Sequence, residues 1–487
     1  MFDITAVKIG EKIKKGELSA VDVTVATIDR INALSGHYNE FITLDVQGAV
    51  AQAERVQKGI ERGEFLSALA GVPFVVKDNI CVKGMKMTCA SKMLENFVSP
   101  YDATVITRLR KAGAIILGKT NMDEFAMGST GENSYFGATL NPYDERRVAG
   151  GSSSGSAVAA ALREGFYSLG TDTGGSIRQP CAYCGVTGIK TTYGVVSRYG
   201  LVAHASSLEQ IGPMAVDAET CAAVLDLICG KDKFDSTTVD YNVEYLNSIS
   251  NDIKGLKIGV LSESFSDKTD KTLGDNVLKV CDTLKYFGAQ AEMFSMPITQ
   301  YTLPAYYVIS SAEASSNLAR YDGVRYGLRS NFCNNIEELY VNSRSEGFGD
   351  EVKRRILLGT LVLSAGYYDD YYKLALRARE TVKKAFEKAF EKYDVILSPT
   401  TPKVAPKINS IIKPIDMYFG DAYTVAVNLA GLPAVSFPCG FSDGLPTGAQ
   451  LIGPAFSDAK LLNIVHQYQQ ITDYHKKTPE CKKEGQV

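Results

Sequence analysis

Residues 71–79 read Gly-Val-Pro-Phe-Val-Val-Lys77-Asp-Asn, and residues 103–117 read Ala-Thr-Val-Ile-Thr-Arg-Leu-Arg-Lys-Ala-Gly-Ala-Ile-Ile-Leu. The first is a compact apolar run, Val72–Val76, that ends in polar residues and has the pattern of a buried strand. The second places apolar residues at helical spacing over Ala103–Ala112 and closes on another apolar run, Ala114–Leu117. Strand, helix and strand in this order predict an α/β sheet. Downstream the pattern predicts a helix over Ala218–Ile228, a strand over Leu256–Leu261, a helix over Asn276–Tyr286 and a strand over Val395–Leu397. A long helix is expected from Asp370 to Lys392, with Phe386 and Phe390 on its core face. Residues 398–420 read as a loop. Residues 4–63 read as helices, with Ile9, Ile13, Val21, Val25, Ile28 and Ile31 at helical spacing.

Composition narrows the function classes. The chain has 487 residues, 45% hydrophobic and 22% charged, which excludes a disordered or low-complexity protein. Lys+Arg 52 against Asp+Glu 55 leaves a net charge of −3, too little basic excess to hold nucleic acid by phosphate contacts of its own. No apolar run reaches the length of a membrane span. The start, with an acid at Asp3, lacks a basic-then-apolar leader. Ten scattered cysteines fit reduced thiols, so a cytoplasmic protein is expected. The tail from Lys476 to Val487 is polar and expected to fray.

Several motifs match a pattern without matching its physics. Gly113-Ala-Ile-Ile-Leu-Gly118-Lys119-Thr120 fits the P-loop formula, but its intervening residues form a strand rather than a phosphate cradle. Gly151-Ser152-Ser153-Ser154-Gly155 fits the nucleophile elbow, yet none of the histidines 37, 204, 466 and 475 sits in a hydrolase context. Cys181-Ala-Tyr-Cys184 is a lone pair without the second pair a zinc site needs, and no metal is expected.

The weight falls on two Gly/Ser stretches. Gly150-Gly151-Ser152-Ser153-Ser154-Gly155-Ser156 opens a helix of small residues with its amides free. Thr171-Asp172-Thr173-Gly174-Gly175-Ser176-Ile177-Arg178 places a serine after two glycines, where successive amides converge on one oxyanion. By residue type alone, Ser176 reads equally well as a helix N-cap, and Lys77 as a surface lysine at a strand end.

With Lys77, Ser152 and Ser176 in order and at these intervals, the chain resembles the amidase signature family. In that family a lysine and two serines take the place of Ser-His-Asp. The resemblance implies Lys77 as base, Ser152 as relay and Ser176 as nucleophile. It also implies an oxyanion hole from the amides of Thr173, Gly174, Gly175 and Ser176. It implies one large α/β/α sandwich around a mixed, mostly parallel sheet, with residues 1–65 a helical segment packed on the core and 66–487 the signature domain. A base must be neutral, and burial lowers a lysine by up to about 3–5 units from its usual value of about 10.4. Cys181 and Glu209 depart from the family pattern, which more usually has Ala and Asp there.

Residues 118–137, 310–327 and 352–360 are similar to the branch of the family that supplies ammonia to tRNA-dependent amidotransferases. That likeness implies glutamine as substrate, Arg354 on its carboxylate and Asp421 on its ammonium. It implies a heterotrimer with the B and C subunits of an amidotransferase. ATP, magnesium and tRNA belong to the B subunit, with no cofactor in this chain, and the acceptor is Glu-tRNA(Gln), Asp-tRNA(Asn) or both. The alternative it leaves is a free-standing amide hydrolase with the same three residues.

Overall fold

The computed structural model describes residues 1–34, 36–241, 243–249, 252–410 and 413–480; the end of the tail, 481–487, lies outside the described residues. Eleven strands form one sheet. In chain order they are β1 (Phe41–Leu44), β2 (Pro73–Lys77), β3 (Ile115–Thr120), β4 (Tyr167–Asp172), β5 (Thr187–Lys190) and β6 (Gln210–Ala215). Then follow β7 (Lys257–Leu261), β8 (Gln290–Phe294), β9 (Val395–Pro399), β10 (Ala434–Ser442) and β11 (Leu445–Ile452). Their order across the sheet is β1-β3-β2-β4-β6-β5-β10-β11-β9-β7-β8.

Side-chain alternation along each strand feeds two helical layers. On β9, Val395 and Leu397 join the largest apolar cluster with helices Thr104–Lys111, Ala218–Ile228 and Asp458–Ile471. Between them Ile396 joins the opposite cluster, with helices Thr302–Asn317, Leu374–Phe390 and Val425–Ala430. On β4, Tyr167 and Leu169 face the first layer, while Ser168 Oγ donates to Ser156 O at 2.8 Å in the small-residue helix Ser154–Ala161. Alanine and serine let that helix lie close against the sheet.

Three expectations need correction. The sheet is mixed but not mostly parallel: among the described residues, four strand pairings are parallel and six antiparallel. Parallel neighbours need a crossover, whereas β10 and β11 are joined by the tight Asp443-Gly444 turn. The N-terminal segment is not all helix, because β1 pairs antiparallel with β3 and adds an edge strand to the main sheet. The loop expected over 398–420 contains the helix Pro414–Phe419. The long helix begins with a π-helical turn at Tyr368–Lys373 before Leu374–Phe390, and Phe386 is buried as expected.

Strands β3, β2 and β4 are mutually parallel, so Thr120, Lys77 and Asp172 end side by side. The carboxyl ends of parallel strands are where α/β sheets hold their ligands. β2 reads as an unbroken apolar run because both its faces are covered. Lys119 lies inside β3, which removes the P-loop reading: the residues expected to cradle phosphate are strand. Its Nζ pairs with Asp78 Oδ1 at 2.9 Å, and both side chains are fully buried. Asp78 Oδ2 accepts from Thr88 N at 2.8 Å and Thr88 Oγ1 at 2.5 Å. Replacing one partner leaves the other charge uncompensated, which costs about 3–5 kcal/mol. Lys119→Met should therefore lower unfolding stability in urea by about that amount; a loss under about 1 kcal/mol would show that this pair does not hold the strand ends.

Candidate active site

Lys77 is the last residue of β2 and is fully buried. Its Nζ lies 2.8 Å from Ser152 Oγ, 2.9 Å from Ser153 Oγ and 2.9 Å from Thr171 Oγ1. All three are neutral oxygens, and among the described residues no carboxylate bonds it. Burial lowers the Lys77 ammonium to about 7, against the partial opposing pull of Asp123 and Asp172. Ser152 comes from the turn before the Ser154–Ala161 helix, and the Gly151–Ser152 peptide is cis. Ser153 and Thr171 were not anticipated. Ser153 also accepts the Thr171 N–H at 3.3 Å and donates to Thr171 O at 3.1 Å, tying this turn to β4. Asn79 Nδ2 supports Thr171 Oγ1 at 3.1 Å. The run of three serines at 152–154 was the available signal for Ser153, the middle residue of the elbow pattern; nothing local pointed to Thr171.

The second turn is built on Asp172. Its carboxylate accepts the amides of Gly175 at 2.9 Å and Ile177 at 3.2 Å. Arg178 meets it bidentately, Nε to Oδ2 and Nη2 to Oδ1, each at 3.0 Å. Asn428 Nδ2 adds a bond of 2.9 Å. Burial works against the charge, but Arg178 and Asn428 outweigh it and hold the Asp172 carboxyl at about 2. Only glycine fits at the bend: a Cβ on Gly174 would lie 2.4 Å from the Tyr306 ring, and one on Gly175, at φ +136°, would lie 2.4 Å from Thr424 Oγ1.

The four amides of this turn differ in their partners. The Gly175 N–H is taken by Asp172, whereas those of Thr173, Gly174 and Ser176 have no protein acceptor among the described residues. Ser176 is 8% exposed, and its carbonyl accepts the Ser153 N–H at 3.2 Å, which links the two turns. Its hydroxyl makes no hydrogen bond within the protein among the described residues.

Arg354 and Asp421 make no direct ion pair among the described residues. Arg354 points outward, its side chain 46% exposed, and pairs with Glu351. Its neighbour Arg355 is buried, with its guanidinium 5.0 Å from the Tyr307 ring centre and 5.5 Å from that of Tyr418. Arg355 Nε bonds Glu351 Oε1 at 2.8 Å. Tyr307 OH donates to Asp421 Oδ2 at 2.7 Å, and the rings of Tyr307 and Tyr418 stack at 3.9 Å. Burial pushes the Asp421 carboxyl up to about 7, while Tyr307 and Arg355 restrain it. Both arginines thus meet the Glu351 carboxylate, Arg354 with a half-exposed side chain and Arg355 with a buried one. The buried residues Glu351, Val352, Arg355, Gly359 and Val362 of the helix Asp350–Val362 fall on one face, and that period was the signal for Arg355.

A cleft of about 830 Å³ is lined in part by Ser129, Gln179, Met417 and Gly420, the last of these next in sequence to Asp421. Gln179 Oε1 accepts the Gly151 N–H at 3.1 Å. Of the two departures from the family pattern, Glu209 accepts the amides of His204 and Ala205 at 3.0 and 3.3 Å, and Cys181 is buried against Gly188. A hydroxyl pair on a buried amine, beside open amides, can carry out acyl transfer. Lys190 is likewise fully buried and lowered by burial to about 7. In protein with 13C-labelled lysine side chains, two resonances should therefore titrate near pH 7, one of them absent in Lys77→Met; titration of every lysine near pH 10 would contradict this electrostatic picture.

Comparison with known proteins agrees with the geometry. Residues 22–462 match the model of the family described as Amidase. The chain is 52% identical over 484 residues to the A subunit of glutamyl-tRNA(Gln) amidotransferase from Lachnoclostridium phytofermentans, covering 97% of this chain and 98% of that one. It is 51% identical to the protein of the same name from Coxiella burnetii, covering 99% and 100%. Among solved structures, the A subunit of the Thermotoga maritima glutamyl-tRNA(Gln) amidotransferase superposes with a TM-score of 0.81 at 38% identity, covering 98% of both chains. A peptide amidase from Stenotrophomonas maltophilia superposes at 0.82 with 31% identity, covering 96% of both. No described helix is long and apolar enough to cross a membrane. The chain belongs to the amidase family.

Proposed function

We propose that this chain is the glutamine-hydrolysing subunit of a tRNA-dependent amidotransferase and that Lys77, Ser152 and Ser176 carry the reaction. The observation that supports it most is the buried Lys77 Nζ on Ser152 Oγ at 2.8 Å, in a chain half identical to proteins named as that component. With Lys77 at about 7, most of it is neutral at pH 7.5 and able to accept a proton.

Ser176 Oγ attacks the side-chain carbonyl carbon of glutamine while its proton passes through Ser152 to Lys77. The oxyanion is received by the open amides of Thr173, Gly174 and Ser176; one such donor is worth about 3–4 kcal/mol in the transition state. The C–N bond then breaks, and the proton returns from Lys77 through Ser152 to the departing nitrogen, releasing ammonia. Water attacks the acyl-enzyme and gives its proton back along the same relay. Ser176 recovers its hydrogen and glutamate leaves.

Arg355, rather than Arg354, pairs with the substrate carboxylate in this reading, because its Nη groups remain beyond the Nε bond to Glu351. Asp421 receives the ammonium, and that positive charge draws the carboxyl back to its ionised form. Ammonia is consumed on Glu-tRNA(Gln), Asp-tRNA(Asn) or both by the B subunit with ATP and magnesium, in a cytoplasmic heterotrimer that the C subunit completes. The net charge of −3 suits a chain that leaves tRNA to its partner.

Ser176→Ala should lower glutamine hydrolysis by at least about 1,000-fold; activity within tenfold of the parent would remove Ser176 from the nucleophile role. Arg355→Ala should raise KM for glutamine about 10–100-fold, as expected for loss of a charged hydrogen-bonding partner, while Arg354→Ala stays within about threefold. The reverse order would restore Arg354. In the assembled complex, ammonia release should rise with ATP and mischarged tRNA; release indifferent to both would favour a free-standing amidase.

A further inference from the structure

Of the carboxylates near Lys77, Asp172 is paired with a cation, whereas Glu209 and Asp123 form no ion pair among the described residues. Lys77 is faced by Asp123, Asp172 and Glu209, by the Cys89 thiol, and by the His204 imidazole. Asp172 is paired with Arg178. Glu209 accepts two backbone amides and lies in the field of Arg198. Asp78, next in sequence to Lys77, is paired with Lys119.

Asp123 is fully buried and forms no ion pair among the described residues. Its Oδ1 accepts the Asn133 amide at 3.0 Å, and both its oxygens accept the Gly131 amide at 3.1 Å. Its own N–H donates to Ser152 O at 3.2 Å. A Cβ on Gly151 would lie 1.9 Å from Asp123 Oδ2, so the carboxylate is wedged against the backbone that presents Ser152. The charged groups that face Asp123 are Lys77, which favours its anion, and Glu132 and Asp421, which oppose it. Asp123 therefore adjoins the backbone of Ser152, whose hydroxyl bonds Lys77 Nζ at 2.8 Å, and Lys77 is a cation that favours its ionised form.

We propose that Asp123 is the counter-charge of Lys77: a positioning residue whose unpaired carboxylate, held against Gly151, stabilises the ammonium formed when Lys77 takes the serine proton. The proposal rests on the catalytic reading of Lys77, Ser152 and Ser176. It adds a residue that touches neither substrate nor reacting atom and acts on the base through space. Two backbone amides hold the anion in place, so its field is already oriented before the proton moves. Removing that charge makes protonation of Lys77 harder, so the pH at which the base becomes active falls while the reaction slows.

The test follows acylation of Ser176 by a neutral fluorophosphonate across pH in the full chain, because that step needs the base but not the glutamine pocket. Labelling of the parent that disappears in Ser176→Ala secures the catalytic reading separately. Asp123→Asn should label more slowly at pH 8, with its half-maximal rate moved about one pH unit lower, as loss of a nearby opposite charge requires. Asp123→Glu, which keeps the charge, should hold the half-maximal pH of the parent even if its longer side chain slows the reaction. A folded Asp123→Asn with an unshifted half-maximal pH overturns the proposal and leaves Asp123 as a loop clamp. The coupling is reciprocal: in Lys77→Met the Asp123 carboxyl, followed by its 13C resonance, should titrate at higher pH than in the parent. An unchanged titration there overturns the proposal without recourse to any Asp123 variant.

Discussion

The site depends on an amine taken out of water without a carboxylate to bond it. An ion pair would hold the amine as its ammonium; leaving it with no partner would carry the penalty of an unsatisfied buried donor. Hydroxyls from Ser152, Ser153 and Thr171 resolve the conflict, because they satisfy the hydrogen bonds without adding charge. The surrounding fold serves this arrangement. Strands β2, β3 and β4 run parallel and deliver Lys77, Thr120 and Asp172 to one edge. The neighbouring carboxylate Asp78 is occupied by Lys119 from the adjacent strand, which keeps a competing ion pair away.

A related balance shapes the turn from Thr173 to Ser176. Asp172 is charged because Arg178 and Asn428 outweigh its burial, and the anion in turn gathers the amides of Gly175 and Ile177. Taking those amides fixes the bend that leaves the Thr173, Gly174 and Ser176 amides open. The guanidinium reaches further, to Thr424 O at 3.1 Å and Asn428 Oδ1 at 2.6 Å, so the turn is braced by the C-terminal half of the chain. Asp421 lies in the same segment as Thr424, and the Thr424 hydroxyl donates to Gly174 O at 2.5 Å. The walls of the cluster and the turn that presents Ser176 are therefore one hydrogen-bonded unit, formed from residues more than two hundred positions apart in sequence.

Much of this was legible before the structure, for identifiable reasons. Val72–Val76 announced a buried strand because both its faces are covered, and the strand observed, Pro73–Lys77, extends one residue further and includes the lysine. The helix Ala218–Ile228 coincides with its expected bounds. The P-loop match was rejected because Ala-Ile-Ile-Leu suits a strand, and residues 115–120 form one. The failures are of another kind. β1, with every residue half-buried, carries a weak local pattern and becomes a strand only because the edge of β3 is there to pair with it. The balance of parallel and antiparallel pairings depends on which strands become neighbours, and strand sequences do not carry that.

The amino-acid sequence by itself determined the α/β class and the order of the Gly/Ser turns that flank Ser152 and Ser176. These rest on local periodicity, on the small residues a close-packed helix requires and on the absence of side chains at a sharp bend. Tertiary structure alone decided which arginine is buried against Tyr307 and Tyr418, which amides remain open and which carboxylates stand near Lys77 with or without a cation of their own. Such choices depend on distances between residues far apart in the chain and on how completely water is excluded from them. Burial turns Lys77 from an ordinary surface charge into an amine at about 7, and burial is a property of the packed whole rather than of any stretch of sequence.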